Sequence, residues 1–247
     1  MDRSIRARPG ETVDRVCGAL EVFQAVDGYR FGMEALFLCG FVSSRASRVL
    51  DLGTGSGVIP LVLLWSEKAD LAVGIEIQPA MCERARRSAK KNRLSGRMIV
   101  VEGDLRGFSP GGESERFDLV TANPPFYPVG RGRSCRDEER ALAREERLAT
   151  LDDFIEAASR ALLPRGKLAI VFSPRRIEQA LCACRSRRLS PSRLRFVHPR
   201  PDLPPRHVLL EARLGTRSAL DVEAPLFIED LSGQKTPEFQ SFMYPDR

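Results

Sequence analysis

A glycine-rich loop between two apolar segments limits the possible folds of this 247-residue chain more than any other feature. Residues 48–52 are largely apolar, and residues 58–65 are apolar with Pro60 near their start. Proline is favoured in the first turn of a helix, so this order predicts a strand, a loop and a helix. Glycines let the backbone pass close to a ligand, and the helix start offers free N–H groups. We therefore predict a ligand-binding unit of an α/β domain, with its loop glycines at Gly53, Gly55 and Gly57.

The loop does not match a dinucleotide-binding fingerprint, because Val58 occupies the position where the next glycine is required. Three carboxylates instead follow successive predicted strands. Asp51 precedes the loop, Glu76 ends a predicted strand over residues 71–77, and Asp104 follows one over residues 98–102. The carboxyl ends of parallel strands share one edge of a sheet. Glu76 is placed to bind two ribose hydroxyls, and Asp104 is placed to accept a hydrogen bond from the amine of an adenine.

A proline-rich turn follows the predicted strand over residues 117–122. Each proline fixes its own φ and removes a backbone N–H, so the carbonyls of the turn lack local donors. With the side chain of Asn123 they form a group of acceptors suited to a planar NH₂, and Phe126 offers a ring for stacking. The pattern indicates methylation of nitrogen. The alternative is a purely structural role, in which the prolines end the strand and Phe126 packs into the core. The residues of the turn are Asn123, Pro124, Pro125 and Phe126.

The positive charge of the chain, +6 at neutral pH, is concentrated in two arginine groups. The first follows the proline turn beside Gly130 and Gly132, where an RNA substrate would enter, and consists of Arg131, Arg133 and Arg136. The second is interpreted either as an RNA contact or as a solvated helix face. It consists of Arg175, Arg176, Arg185, Arg187, Arg188, Arg193 and Arg195, with Arg200 and Arg206 beyond.

Together these motifs resemble the S-adenosylmethionine-dependent methyltransferases of the Rossmann-like class. More narrowly, the chain resembles the tRNA (adenine-N6)-methyltransferases that modify the purine beside the anticodon of a valine tRNA. The resemblance spans almost the whole chain, and its further matching segments are residues 27–31, 34–38, 123–127, 140–145 and 203–210.

The resemblance implies a class I α/β fold with a seven-stranded, mostly parallel sheet, helices on both faces and a final antiparallel hairpin. It implies S-adenosyl-L-methionine as cofactor and N6-methylation of an adenine, the purine 3′ to the anticodon of a valine tRNA. The expected cofactor-binding residues include the loop glycines, Asp51, Glu76, Asp104 and Asn123. The resemblance adds Tyr29, Arg30, Phe31, Thr54, Ile77 and Leu105. The expected substrate-binding residues are Phe126, the first arginine group, and also Tyr127, Arg140 and Arg144.

Two departures from the family pattern keep alternatives open. Glu34 replaces a shorter Asp, and Phe126 replaces the commoner Tyr, as in guanine-N2 methyltransferases. A guanine-N2 rRNA methyltransferase therefore stays an alternative, although its usual duplicated architecture is missing. A protein glutamine-N5 methyltransferase uses the same turn but has a longer helical domain before the glycine loop. A non-catalytic RNA-binding protein of the same fold is the third alternative.

Composition predicts a cytoplasmic protein. No apolar run reaches the roughly 18 to 20 residues of a membrane span, and the arginine-rich start has no signal-peptide core. The six cysteines show no CxxC pair, so we expect reduced structural cysteines and no metal. We expect an N-terminal arm over residues 1–30, a methyltransferase domain over residues 31–215 and a C-terminal extension over residues 216–247. Thr150 is predicted to cap a helix over residues 151–163, with a strand over residues 167–172 and an edge strand over residues 224–229.

Overall fold

Strands and helices alternate along most of the chain in this computed structural model, which describes residues 5–28, 30–125 and 149–243. The strands are β1 Glu11–Val16, β2 Leu20–Ala25, β3 Ala46–Leu52, β4 Ala69–Glu76, β5 Met98–Glu102, β6 Phe117–Ala122, β7 Leu162–Phe172, β8 Leu189–His198, β9 His207–Leu214, β10 Asp221–Val222 and β11 Leu226–Phe227. The helices are α1 Met33–Phe41, α2 Val58–Trp65, α3 Pro79–Lys91, α4 Leu151–Ala161, α5 Ile177–Ser186 and α6 Pro237–Met243.

The large sheet confirms the predicted topology. Its strands follow the order β10-β8-β9-β7-β6-β3-β4-β5, with β11 also paired to β8. The strands β5, β4, β3, β6 and β7 are mutually parallel, and β9 lies antiparallel between β7 and β8. The seven predicted strands are β3 to β9. In the described residues, β10 and β11 each add two residues along β8, so the predicted edge strand over residues 224–229 is shorter than expected.

Successive side chains of the central strands point to opposite faces of the sheet, and an apolar core forms on each face. On β3, Val49 lies in the core that α1, α2 and α6 cover, whereas Leu50 lies in the core that α4 and α5 cover. On β6, Leu119 and Val120 divide in the same way. Successive side chains of a strand point to opposite faces, so strands buried on both faces must be apolar throughout. This requirement explains the continuous apolar runs in the sequence.

The hairpin of β1 and β2 is held on α3 by side-chain hydrogen bonds to its backbone. The amide of Phe23 donates to Ser88 Oγ at 3.0 Å, and that of Glu21 donates to Asn92 Oδ1 at 3.0 Å. Asn92 Nδ2 returns a hydrogen bond to the Glu21 carbonyl at 2.7 Å. Arg87 lies over the Phe23 ring, 4.3 Å from its centroid. The hairpin is therefore fixed to the helix that follows β4.

The boundary between α4 and β7 differs from the sequence prediction. The helix ends at Ala161, and the strand begins at Leu162, five residues before its predicted start. Leu162 is fully buried and pairs with Phe117 of β6, so it belongs to the sheet. Arg165 then adopts a φ of +67°, and the pairing shifts register before Lys167. The Pro-Arg-Gly sequence therefore forms an irregularity inside the strand and does not separate helix from strand.

Thr150 caps α4 as predicted, through reciprocal hydrogen bonds with Asp153. The Asp153 amide donates to Thr150 Oγ1 at 3.3 Å, and the Thr150 amide donates to Asp153 Oδ2 at 2.7 Å. These bonds satisfy two of the amides at the helix start that lack intrahelical partners. The capped helix packs Phe154 and Ile155 into the second core.

The first prediction concerns this cap. Thr150→Ala removes the hydroxyl acceptor, so the free energy of unfolding should fall by about 1 kcal/mol. Thr150→Ser keeps the acceptor and should stay near the wild-type value. Urea unfolding of the three proteins measures the difference, and equal stabilities for the Ala and Ser variants would show that the cap contributes nothing.

Candidate active site

The carboxyl ends of three parallel strands bring predicted polar residues to one edge of the sheet. Asp51 of β3 lies beside Gly74 of β4 and Thr121 of β6 in the strand register. Glu76 ends β4, and Asn123 directly follows the end of β6. Ligands bind at this edge in open α/β sheets. The structure therefore places Asp51, Glu76 and Asn123 around one candidate site.

The glycine loop adopts a left-handed backbone at all three of its glycines. Gly53, Gly55 and Gly57 have φ angles of +65°, +56° and +85°. At Gly57 a Cβ would also lie 3.1 Å from that of Ala85, so the φ angle and the close packing both favour glycine there. The Thr54 amide donates to the Ile75 carbonyl at 2.9 Å, which fastens the loop to the end of β4. Helix α2 starts directly after the loop, with its free amides at the site.

Glu76 is buried and holds the loop in place. Its Oε2 accepts from the Gly55 amide at 2.9 Å, and its Oε1 accepts from the Gln78 amide at 2.9 Å. A carboxylate oxygen accepts more than one hydrogen bond, so both oxygens keep capacity for ribose hydroxyls. The sequence predicted the ribose role but not the bond to the loop.

Asp51 is almost fully buried, 1% exposed, between two hydroxyls. Thr121 Oγ1 donates to Asp51 Oδ1 at 2.7 Å. Burial raises the pKa of Asp51 to about 7, the nearby hydroxyls of Thr121 and Thr54 oppose the rise, and the charge of Glu76 adds to it. In the described part of the chain, Asp51 Oδ2 and Thr54 Oγ1 have no hydrogen-bond partner of normal geometry. Asp51 therefore keeps one buried oxygen for a ligand.

The proline turn presents a buried acceptor at the end of β6. Asn123 Oδ1 is inaccessible to solvent and has no partner among the described residues. Pro124 is buried, Pro125 is half-buried, and neither has an N–H to donate. A buried amide oxygen without a donor is costly, so a ligand NH₂ suits this position.

The residues expected around an adenine lie beyond β4 and β5. Ile77 is 36% exposed directly after Glu76, and Leu105 is buried. Asp104 accepts from Arg106 Nε at 2.9 Å and from the Arg106 amide at 2.9 Å. These bonds, led by the side-chain contact with Arg106, hold the pKa of Asp104 below its ordinary value. Asp104 is thus ionised and oriented by Arg106, which the sequence did not predict.

Arg30 and Phe31 were expected to bind the cofactor and lie beside the N-terminal hairpin. The guanidinium of Arg30 donates to both oxygens of Asp14, at 2.7 and 2.6 Å, and to Thr12 Oγ1 at 2.8 Å. The structure therefore places its charge on β1. The Phe31 amide donates to the side chain of Gln24 at 3.4 Å.

Gln24 connects the hairpin to the glycine loop and was missed by sequence reasoning. It is 1% exposed on β2, and its Nε2 donates to Ser56 Oγ at 3.1 Å. A glutamine within the apolar stretch of residues 20–25 was the available signal, because buried amides are normally paired. Gln24 thus links Phe31 and the loop.

The remaining expected site residues lie outside the described part of the chain. They are Tyr29, Phe126, Tyr127, Arg131, Arg133, Arg136, Arg140 and Arg144.

The Cys82 thiol donates to the Glu76 carbonyl at 3.3 Å and so supports the end of β4. Cys17, Cys39, Cys82, Cys182 and Cys184 are free thiols, and burial raises the pKa of Cys17 and Cys82 to about 11. Within residues 5–28, 30–125 and 149–243, no three His, Cys, Asp or Glu side chains are grouped to hold a metal. In the same ranges, no helix has the length and apolar character needed to cross a membrane.

These features fit S-adenosylmethionine. The unpartnered oxygen of Asp51 suits an ammonium group, the loop leaves room for backbone approach, and Glu76 suits ribose hydroxyls. The strand order and the site together define an S-adenosylmethionine-dependent methyltransferase of the Rossmann-like class.

Comparisons with known proteins identify the family. The profile of the methyltransferase small domain matches residues 33–183, and the chain belongs to this family. The tRNA1(Val) (adenine(37)-N6)-methyltransferase of Porphyromonas gingivalis is 33% identical over 227 residues, covering 87% of this chain and 88% of the relative. That of Parabacteroides distasonis is 32% identical over 183 residues, covering 74% and 76%.

A solved structure agrees with the fold over most of both chains. A crystal structure of a "predicted O-methyltransferase" from Agrobacterium tumefaciens superposes with a TM-score of 0.66 at 27% identity. The match covers 84% of this chain and 94% of that one. The family and the fold expected from the sequence are therefore confirmed.

The second prediction concerns the titration of Asp51. Its folded pKa of about 7 lies above the ordinary 3.8, so between these pH values the native state holds more protons than the unfolded state. Stability from this group is complete below pH 3.8 and is lost as pH rises towards 7. The loss is at most about 1.4 kcal/mol per pH unit.

Asp51→Asn should remove this contribution. Urea unfolding of the cofactor-free proteins between pH 4 and 8 should show wild type losing stability relative to the variant up to about pH 7, then levelling. Parallel pH profiles for the two proteins would contradict a raised pKa for Asp51.

Proposed function

We propose that this protein transfers the methyl group of S-adenosylmethionine to N6 of an adenine in RNA, the purine 3′ to the anticodon of a valine tRNA. The observation that most supports a nitrogen target is the buried, unpartnered Oδ1 of Asn123 beside two prolines. The names of the relatives from Porphyromonas gingivalis and Parabacteroides distasonis support adenine and tRNA. A tRNA substrate also supports a cytoplasmic location.

The residues of the chain act mainly by binding and orientation. When bound, the cofactor supplies a methyl group already activated on a sulfonium sulfur. Asp51 and the loop of Gly53 to Gly57 would hold its methionine part, Glu76 its ribose and Asp104 its adenine. Asn123 Oδ1 and the Pro124 carbonyl would accept both protons of the target amine and fix its direction. Alignment of this kind lowers a barrier by about 7 to 11 kcal/mol in favourable cases.

The target base must leave its stack to reach the turn. Unstacking costs a few kcal/mol and is least for an unpaired base, so an anticodon loop fits the site better than a duplex. Guanine N2 and glutamine N5 also present an NH₂ group to the turn. The name of the Agrobacterium protein instead implies an oxygen target, such as a hydroxyl. A hydroxyl donates one proton and would leave one of the two acceptors without a donor. Nitrogen therefore suits the turn better than oxygen.

We also propose three parts for the chain: an arm over residues 1–30, a methyltransferase domain over residues 31–215 and a C-terminal extension over residues 216–247. The family match over residues 33–183 falls inside the central part. Packing of the extension on the domain is supported by Phe239 of α6, whose ring centroid lies 6.2 Å from that of Phe37.

Incubation with labelled cofactor and total tRNA from a strain lacking the gene tests the proposed function. Mass spectrometry of the nucleosides should show N6-methyladenosine in the valine tRNA. Label in guanosine, in ribosomal RNA or in a glutamine-containing protein would identify one of the alternatives instead.

The third prediction concerns Asn123. Asn123→Ala removes the side-chain acceptor for the amine, so methyl transfer should fall at least about tenfold, equal to roughly 1.4 kcal/mol. Asn123→Asp keeps an oxygen acceptor and should retain more activity than the Ala variant. Single-turnover rates give the effect, and calorimetry should show cofactor affinity changing much less. Near-normal turnover in Asn123→Ala would exclude the orienting role.

The fourth prediction concerns Glu76. Glu76→Ala removes the acceptor for two ribose hydroxyls and for the Gly55 amide. Cofactor binding should weaken by at least about 1.5 to 3 kcal/mol, the usual contribution of hydrogen bonds to a charged group. Glu102→Ala is the matched control, because Glu102 lies opposite Glu76 in the register but is exposed. Calorimetry should show normal affinity for the control, and unchanged affinity for both variants would mean that Glu76 does not bind the cofactor.

A further inference from the structure

The structure divides the second arginine group of the sequence into two kinds. Several of its members have partners within the fold. Arg193 pairs with Glu223 at 2.6 Å, and its guanidinium lies 4.5 Å from the Phe41 ring centroid. Arg187 pairs with Glu156 at 2.9 Å. These side chains contribute to packing and to ion pairs, so their charge is largely neutralised.

Arg185 and Arg188 belong to the other kind and converge with Arg217. They line a cleft of about 550 Å³ together with Ser190 and Thr216. All three arginines are exposed, and in the described part of the chain no acidic side chain pairs with any of them. The cleft therefore concentrates three uncompensated positive charges. We call it the basic cleft.

The rim of the basic cleft is built by the backbone. Arg188 and Gly215 have φ angles of +60° and +68°, and the Gly215 amide donates to the Arg188 carbonyl at 2.9 Å. The Ser218 amide donates to Ser190 Oγ at 3.1 Å. These bonds join the turn before β8 to the turn after β9. The arginines are thus attached to a defined surface and not to a free chain end.

The basic cleft lies at the edge of the sheet opposite the candidate active site. Leu189 in its lining is the first residue of β8, and β8 runs parallel to β7 because both are antiparallel to β9. The amino ends of parallel strands lie away from the edge where Asp51 and Asn123 meet. The registers put Leu189 about three residues below Asp51 along the strands and four strand-to-strand steps away across the sheet, so the two sites are roughly 20 Å apart.

Guanidinium groups in a hydroxyl-lined cleft recognise phosphate. Arginine donates two hydrogen bonds in a fixed fork that matches phosphate oxygens, and serine and threonine hydroxyls add neutral donors. Arg185 in the last turn of α5 also offsets the partial negative charge of the helix end. That role accounts for one arginine but not for the convergence of three from two separate turns.

We propose that the basic cleft binds backbone phosphates of the tRNA at a point outside the loop that enters the active site. This assignment depends on the proposed tRNA substrate. A single nucleotide cannot span the distance between the two sites, whereas a folded tRNA can. The cleft would therefore favour whole tRNA over short RNA of the same loop sequence and leave the methyl-transfer step itself unchanged.

A triple variant, with Arg185, Arg188 and Arg217 each replaced by Gln, tests this site. The matched control replaces Arg15, Arg86 and Arg93 by Gln, which removes the same charge from exposed positions outside the cleft. Filter binding with the valine tRNA at several salt concentrations gives affinity and salt slope. Steady-state methylation gives kcat and KM for the tRNA and for a short RNA limited to its anticodon loop.

The cleft variant should bind tRNA at least about tenfold more weakly, with a salt slope reduced by about 1 to 3 because each lost phosphate contact removes about 0.9. KM for tRNA should rise while kcat stays within about twofold, and the short RNA should be methylated as by wild type. The control should change affinity much less than the cleft variant. Equal losses in the two variants would show a general charge effect and overturn the site.

The remaining outcomes separate the cleft from the proposed function. If wild type methylates and binds tRNA and the cleft variant does so equally well, the cleft assignment is wrong and the function stands. If wild type neither binds nor methylates tRNA, both are wrong. If inorganic pyrophosphate binds wild type but not the cleft variant while tRNA affinity is the same in both, the site serves a small phosphate compound and the RNA assignment is overturned.

Discussion

The bond between the Glu76 carboxylate and the Gly55 amide is the interaction on which the site depends. The glycine loop follows β3, whereas Glu76 ends β4, so one buried carboxylate fixes two neighbouring strand ends relative to each other. A buried amide needs an acceptor, and for Gly55 the Glu76 carboxylate supplies it from the neighbouring strand. The same carboxylate accepts from Gln78 before α3. Loop, strand end and helix start are therefore positioned by a group that also faces the predicted ribose.

The sheet gives the molecule two chemically different edges. Among the described residues at the carboxyl edge, the buried atoms Asp51 Oδ2 and Asn123 Oδ1 accept no hydrogen bond. The partly exposed side chain of Ile77 adds apolar surface at the same edge. At the amino edge, the basic cleft presents exposed guanidinium groups. In the functions proposed above, the first arrangement would select small groups by shape and hydrogen bonding, and the second would attract phosphate without regard to base sequence. A substrate long enough to reach both edges would be selected by two independent criteria.

Sequence reasoning predicted those parts of the fold that local chemistry determines. Apolar runs located the strands that are buried on both faces, Pro60 and Thr150 located helix starts, and the glycines located the loop between β3 and α2. Contacts between distant segments could not be predicted in this way. Nothing near Gln24 in the chain indicates that it reaches Ser56, and the arginines divide into paired and unpaired only when their acidic neighbours are placed. Two-residue strands such as β10 are too short for any periodic signal.

Among the described residues, Oδ2 of Asp51 and Oδ1 of Asn123 are buried oxygens at the carboxyl edge without a hydrogen bond, and they suit ligands that bring donors. A buried oxygen without a donor costs about 1 to 3 kcal/mol, so a ligand that supplies the donor removes that cost when it binds. A ligand of the same shape that lacks the donor leaves the cost in place and is rejected. The donors needed differ along the edge, because Asp51 suits a cation and Asn123 suits a neutral amine. In the proposed function, cofactor and substrate would therefore be distinguished by the charge of the group that each presents to the sheet.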